Sequence, residues 1–214
     1  MVLTNAVYFK GKWIDTFDSA RTAPAPFYLE DGSAIQLPTM HRSGDIEMNA
    51  AQSATVVRLP YSGAPTTSMV IILPEAGQSV DTIAKSLNAG MVSSWIDGLK
   101  PLKADLYLPK FHVGYSTDLV KTLQALGIKR AFAADADLSP TGLSNIFVSD
   151  VVHKATMDVD EQGTVAAAAT AIVTKSMAIA RPRIIRIDHP FICAIRSDET
   201  GALLFLGIIK HPDR

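Results

Sequence analysis

Charge and cysteine are both scarce in this chain. Only 19% of its 214 residues are charged, against 48% hydrophobic, too apolar a balance for a disordered tail or a solvated coiled coil. Twenty Lys and Arg nearly cancel 21 Asp and Glu, and neither sign forms a long run. A nucleic acid or an anionic membrane therefore finds no electrostatic footprint. The single cysteine, Cys193, excludes an intrachain disulfide and a cysteine-built metal site; it leaves the redox compartment open. No stretch reaches the roughly 18 apolar residues of a membrane helix, and Gly163–Thr174 falls well short. G-x-S-x-G, G-x-x-x-x-G-K-[ST] and G-x-G-x-x-G are all missing. The five histidines, His41, His112, His153, His189 and His211, are scattered without H-x-x-x-H spacing. No cofactor and no metal is expected. A Ser-His-Asp site could still assemble in space, since chain order does not forbid it, but nothing in the sequence points to one.

What is present reads mostly as strand. Val2–Phe9 is apolar, β-branched and aromatic from its second residue. A run of that kind usually has chain on both sides, so the sequence is expected to be the latter part of something longer. Phe27–Leu29 and Ala34–Leu37 flank Asp31-Gly32, a pair that can close a hairpin. Ala54–Leu59 and Met69–Leu73 read as buried strands, each stopped by a proline, Pro60 and Pro74. Leu106–Leu108 and Phe111–Val113 form a strand pair or a bent strand around Pro109. Ile184–Ile187, Phe191–Ile195 and Leu203–Ile209 close the chain. Helix is predicted over Val80–Leu99, with Ser79 as N-cap, and over Ser116–Leu126, stopped by Gly127. Phe132–Asn145 is turn-prone. No internal repeat or linker divides the chain, so the reading is one α+β unit with more sheet than helix.

The unusual stretch is Glu161-Gln162-Gly163-Thr164-Val165-Ala166-Ala167-Ala168-Ala169-Thr170-Ala171-Ile172-Val173-Thr174. Its four alanines in a row favour helix or a low-complexity surface loop. Its β-branched residues argue against a good helix. A third reading is a strand in waiting, whose small side chains could slide between two existing strands at little steric cost.

Four segments together resemble the serpin family: Asn5-Ala6-Val7-Tyr8-Phe9-Lys10-Gly11-Lys12-Trp13, Val152-His153-Lys154-Ala155, the Glu161–Thr170 run, and Asp188-His189-Pro190-Phe191. The resemblance runs from residue 2 to the end and covers only the latter half or so of such a domain. It implies an α+β, serpin-like multi-sheet fold that is incomplete here, with the N-terminal helices and part of the main sheet missing. Residues 1–214 would be a single partial domain, with a reactive loop over 161–182. Met1 would then be an internal methionine.

The resemblance also implies a function: a suicide pseudo-substrate that inhibits serine-type endopeptidases and catalyses nothing itself. A protease cuts the exposed loop, and the loop's front half then inserts as a new strand into the main sheet. Glu161, Gly163, Thr164, Ala166, Ala167, Ala168, Ala169 and Thr170 would form the hinge and leading edge. Thr164, Ala166, Ala168, Thr170 and Ile172 share one face at period two, with no charge or proline to block entry. Val2–Phe9 and Phe147–Asp158 would flank the insertion, with Asn5 and His153 as a polar latch between them and Trp13 near the opening. The reactive bond would be Met177–Ala178, with Lys175–Ser176 as rival; Arg181 ranks third because Pro182 follows it. Methionine at that place suits chymotrypsin-, elastase- or subtilisin-like proteases, and Lys175 would suit trypsin-like ones. Cysteine proteases are further possible targets. The resemblance implies an extracellular setting. Two other readings stay open: a non-inhibitory carrier or chaperone, and an inactive truncated fragment.

Overall fold

A computed structural model describes residues 1–63, 65–142, 146–164 and 182–212. The chain separates into two compact units, Met1–Phe9 with His112–Met157, and Lys10–Phe111 with Asp158–Arg214.

The first unit is organised by a three-stranded sheet. β1 (Val2–Tyr8) pairs in parallel with β9 (Asp150–Val159), in the register Val2↔Asp150 through Asn5↔His153 to Tyr8↔Thr156. β8 (Phe111–Asp118) lies on the far side of β9, giving the order β1-β9-β8. Both faces of β1 are open: Val2 and Tyr8 on one and Leu3 on the other are about half exposed. α3 is shorter than the leucine spacing predicts, Val120–Ala125, because β8 continues to Asp118. The Asp118 carboxylate then accepts from Val120 N at 2.8 Å and starts the helix. Gly127 stops it at φ +100°.

The second unit holds a sheet of ten strands. Its main path runs, in order, through β11 (Arg183–Arg186), β7 (Lys100–Pro109), β4 (Ala34–Ala50), β5 (Ala54–Ser62), β6 (Thr67–Pro74), β12 (Phe191–Ser197) and β13 (Leu203–Ile209). β3 (Ala23–Tyr28) pairs with the first third of β4, and β2 (Gly11–Trp13) bridges β5 and the two-residue β10 (Gly163–Thr164). The predicted hairpin exists, with Gly32 at φ +83° in its turn. β4 is far longer than Ala34–Leu37, because β7 takes over from β3 as its partner at Thr39.

Pro60 does not end its strand. β5 continues to Ser62 with Pro60 opposite Ser68, and the proline carbonyl accepts from Ile14 N at 3.0 Å. The predicted helix over Val80–Leu99 is two helices, α1 (Val80–Ser86) and α2 (Ala89–Asp97). Asn88 divides them: its side chain accepts from Met91 N at 3.0 Å and caps the second. Val80, Ile83 and Trp95 of these helices pack on Val56, Val70, Ile72 and Ile192 of the sheet. Leu106–Leu108 and Phe111–Val113 are parts of two longer strands in separate sheets. Phe191 is fully buried where Phe27 and Phe111 meet it edge-on, at 6.5 and 5.7 Å between centroids.

Candidate functional site: a pinned turn after β9

The chain leaves β9 through a tight turn at Asp160–Gly163. The Asp160 carboxylate accepts from Gln162 N at 2.9 Å and Gly163 N at 3.2 Å, so one side chain satisfies both turn donors. Asp160 and Gly163 then form an antiparallel bridge. Gly163 sits at φ +136°, and a Cβ there would lie 2.2 Å from the Gly11 carbonyl oxygen. Only glycine fits, on both backbone and steric grounds.

Trp13 and Phe17 hold this turn by its carbonyls. The Trp13 indole Nε1 donates to Asp160 O at 2.9 Å, and Trp13 N donates to Gln162 O at 3.0 Å. Phe17 N donates to Glu161 O at 2.9 Å. Three successive carbonyls are thus taken by two residues of one short segment. That segment is itself braced by ring contacts: Trp13 stacks on Tyr61 at 4.4 Å and 14°, and Phe17 meets Trp13 edge-on at 6.4 Å. The Arg42 guanidinium lies 5.6 Å from the Phe17 ring.

Glu161 is 8% exposed, so its charge must be answered. Thr22 Oγ1 donates to Oε1 at 2.7 Å and Lys110 Nζ donates to Oε2 at 2.8 Å. Burial pushes its pKa up, but the hydrogen bonds from Lys110 and Thr22 outweigh it and hold the carboxyl below its ordinary value.

In the first unit, Asn5 and His153 face each other across β1 and β9, with His153 Nδ1 donating to Asn5 Oδ1 at 3.0 Å. The structure brings together Asn5 with His153, and Trp13 with Glu161 and Gly163. Thr164 pairs with Gly11 in β10. Ala166, Ala167, Ala168, Ala169, Thr170, Lys175, Ser176, Met177 and Ala178 lie outside the described residues. Sequence reading missed Asp160, Phe17, Thr22, Tyr61 and Lys110 as partners of the turn. The first of these carried a signal, an Asp three residues before a Gly; the others, distant in sequence, carried none.

One Ser-His-Asp cluster does form, from Ser43, His41 and Asp105. Asp105 Oδ1 accepts both from Ser43 Oγ and from His41 Nε2, the latter at 3.2 Å. Ser43 Oγ also lies 3.4 Å from His41 Nε2, but its proton goes to Asp105 Oδ1, and Nε2 donates to that same oxygen, so the ring nitrogen beside the hydroxyl carries a hydrogen and is not its base. Among the described residues no group of three or more His, Cys, Asp or Glu side chains could hold a metal.

The family model described as "Serpin (serine protease inhibitor)" matches residues 1–212. Human neuroserpin is 36% identical over 225 residues, covering 100% of this chain and 54% of its own length. The crystal structure of mouse protein-Z dependent protease inhibitor matches at TM-score 0.85 with 30% identity, over 99% of this chain and 55% of that one. Human thyroxine-binding globulin matches at TM-score 0.89 with 28% identity, over 100% of this chain and 56% of that one. The chain spans about half the length of the relatives it matches. With its mixed architecture of large sheets and few helices, the chain belongs to the serpin family.

Proposed function

We propose that this chain inhibits serine-type endopeptidases as a suicide pseudo-substrate. One observation carries the reading: β1 and β9 lie side by side in parallel over seven residue pairs, with no strand between them. The turn at Asp160–Gly163 reverses the chain at the end of β9. Residues that follow can then run antiparallel to β9, and so to β1 as well. A strand from 164 onward can enter only by parting that pairing, and it would then hydrogen-bond on both sides.

The chemistry needs nothing from this chain except a cleavable bond and a mobile acyl group. The protease serine oxygen adds to the Met177 carbonyl carbon, and the Met177–Ala178 C–N bond breaks. The released amine takes the proton that the protease's own base removed from the serine. Met177 stays esterified to the protease while Thr164, Ala166, Ala168 and Thr170 enter the sheet. A strand of about ten residues gains on the order of ten hydrogen bonds, each worth roughly 1 kcal/mol net. That is enough to distort a protease whose acyl group is carried along. The pinned turn is the starting point, and the Asn5–His153 pair is the gate the strand must part.

A second reading, a non-inhibitory carrier, is favoured by the TM-score of 0.89 to thyroxine-binding globulin. Two measurements separate the readings. A denaturing gel with a slight deficit of chymotrypsin should give a persistent band at the summed mass, with Met177 as the attached residue by mass spectrometry. Cleavage at the loop should also raise Tm sharply. A cleaved chain with unchanged Tm and no complex overturns inhibition.

A further inference from the structure

Tyr107 carries a stack of planar groups that spans three strands. His41 in β4 and Arg186 in β11 are both in register with Tyr107 in β7, so the three side chains leave the same face of neighbouring strands. The His41 ring lies 4.5 Å from the Tyr107 centroid at 12°, and Arg186 Cζ lies 4.1 Å from that centroid. Two planar groups this close to one ring take its opposite faces. Asp105 fixes the inner end of the stack through His41 Nε2. β11 ends the strand path, so the outer end is Arg186, which is exposed and has no ion pair among the described residues.

A cavity of about 240 Å³ opens beside it, walled by Arg186, Tyr107, Phe27, Ile187 and two prolines, Pro26 and Pro109. The prolines have no N–H, so those stretches offer a ligand no backbone donor. Asp188 borders the cavity too, but its carboxylate is engaged by His189 Nδ1 at 2.9 Å. The charged group left to choose a ligand is a guanidinium seated over a ring, its Cζ 4.1 Å from the Tyr107 centroid. Its planar fork matches a carboxylate, while the apolar walls accept a methylene stem. The volume suits one side chain rather than a folded segment.

We infer that this cavity docks a glutamate or aspartate side chain on the surface of the target protease, an assignment that rests on the inhibitory reading above. Arg186 stands eight positions after Ala178, so the chain keeps it within roughly 30 Å of the proposed reactive bond. A protein seated on the loop can reach that far. The cavity is thus a specificity contact outside the cleaved segment, and a charge at such a rim acts chiefly on association rate and salt dependence.

Two experiments test it. In a uniformly nitrogen-labelled sample, N-acetyl-glutamate methylamide should shift the Arg186 Nε–H resonance and the Tyr107 and Asp188 amides beside the cavity saturably in the millimolar range, and the glutamine analogue should not. Arg186→Gln should abolish the shifts of the Tyr107 and Asp188 amides while the Ile185 and Ile187 amide resonances stay in place, showing β11 still docked. No saturable shift, or an equal shift with the glutamine analogue, overturns the pocket. With a protease that the chain traps, Arg186→Gln should slow association about three- to tenfold at low salt, with the gap closing at high salt. The number of chains consumed per protease trapped should not change. Arg186→Lys, which keeps the charge without the fork, should restore only part of the rate. An unchanged rate for Arg186→Gln overturns the protease as occupant. A chain that is cut but traps nothing removes the inhibitory reading and its occupant together, and the glutamate titration still decides whether the pocket takes a carboxylate.

Discussion

Lys110 reaches Glu161 across 51 positions of sequence, with Nζ 2.8 Å from Oε2. Glu161 is the more buried of the two, with 11% of its side chain exposed against 38% for Lys110. Losing the lysine therefore leaves a buried carboxylate half-satisfied, whereas losing the carboxylate leaves a lysine that water can reach. Lys110→Ala should cost about 1–3 kcal/mol in urea unfolding, and Glu161→Gln less. Equal losses for the two would show that the asymmetry of burial does not matter. Because the Glu161 pKa is depressed on folding, its contribution is complete above the unfolded value and fades as pH falls through the folded one. The gap between wild type and Lys110→Ala should therefore shrink on the acid side.

Gly163→Ala tests the turn directly. The added methyl meets Gly11 O, Lys12 Cα and Trp13 N, all backbone and all under 3 Å, and φ +136° is closed to alanine. The turn must shift, at a cost of about 2 kcal/mol or more, and with it go the bonds to Trp13. In a Trp95→Phe background, Trp13 emission should move to the red and its indole N–H should exchange faster. Unchanged Trp13 emission would mean that the turn accommodates the methyl without leaving Trp13.

Why these contacts escape a sequence reading is a matter of range. The strands were legible because their signal is local: Val56, Val57, Ile71 and Ile72 are β-branched neighbours that bury on a sheet, and so were Gly32 and Gly127 as breakers. Asn5, His153, Trp13 and Glu161 were singled out only through family resemblance. Thr22 lies 139 positions from Glu161, and no pattern in either segment names the other. Local rules also failed where a neighbour overrode them. Pro60 stays within β5 with its carbonyl still paired, and Asn88 breaks a continuous apolar period because its cap bond competes with helix.

His189 sits between two acceptors. Nδ1 is 2.9 Å from Asp188 Oδ1 and Nε2 is 2.9 Å from the Pro74 carbonyl. Neither partner can donate, so making both bonds requires both ring nitrogens protonated. The bond to Asp188 raises its pKa, burial opposes this, and the Pro74 bond with the charges of Asp188 and Glu75 leaves the net shift upward. A raised pKa contributes stability that is complete below the unfolded value and lost as pH rises through the folded one. His189→Ala should therefore lower stability by about 1 kcal/mol at pH 5.5 and by clearly less at pH 8.5. A gap that widens with pH would mean that the neutral ring is the one bound here.

Cys193 offers a clean readout of global against local opening. It lies on β12, one strand in from the end of the sheet, between Ile71 on β6 and Gly207 on β13, and is 2% exposed. Burial alone pushes its thiol pKa up to about 12, so at pH 8 almost no thiolate exists to react. Labelling by a disulfide reagent should therefore be slow, and at fixed reagent its rate should rise with urea in step with the unfolded population. The mutations at Gly163 and Lys110 act on the turn, which is remote in sequence from β12. If they loosen that turn alone, Trp13 emission changes while Cys193 stays protected. If Cys193 becomes reactive in step with Trp13, the turn and the central sheet open as one cooperative unit.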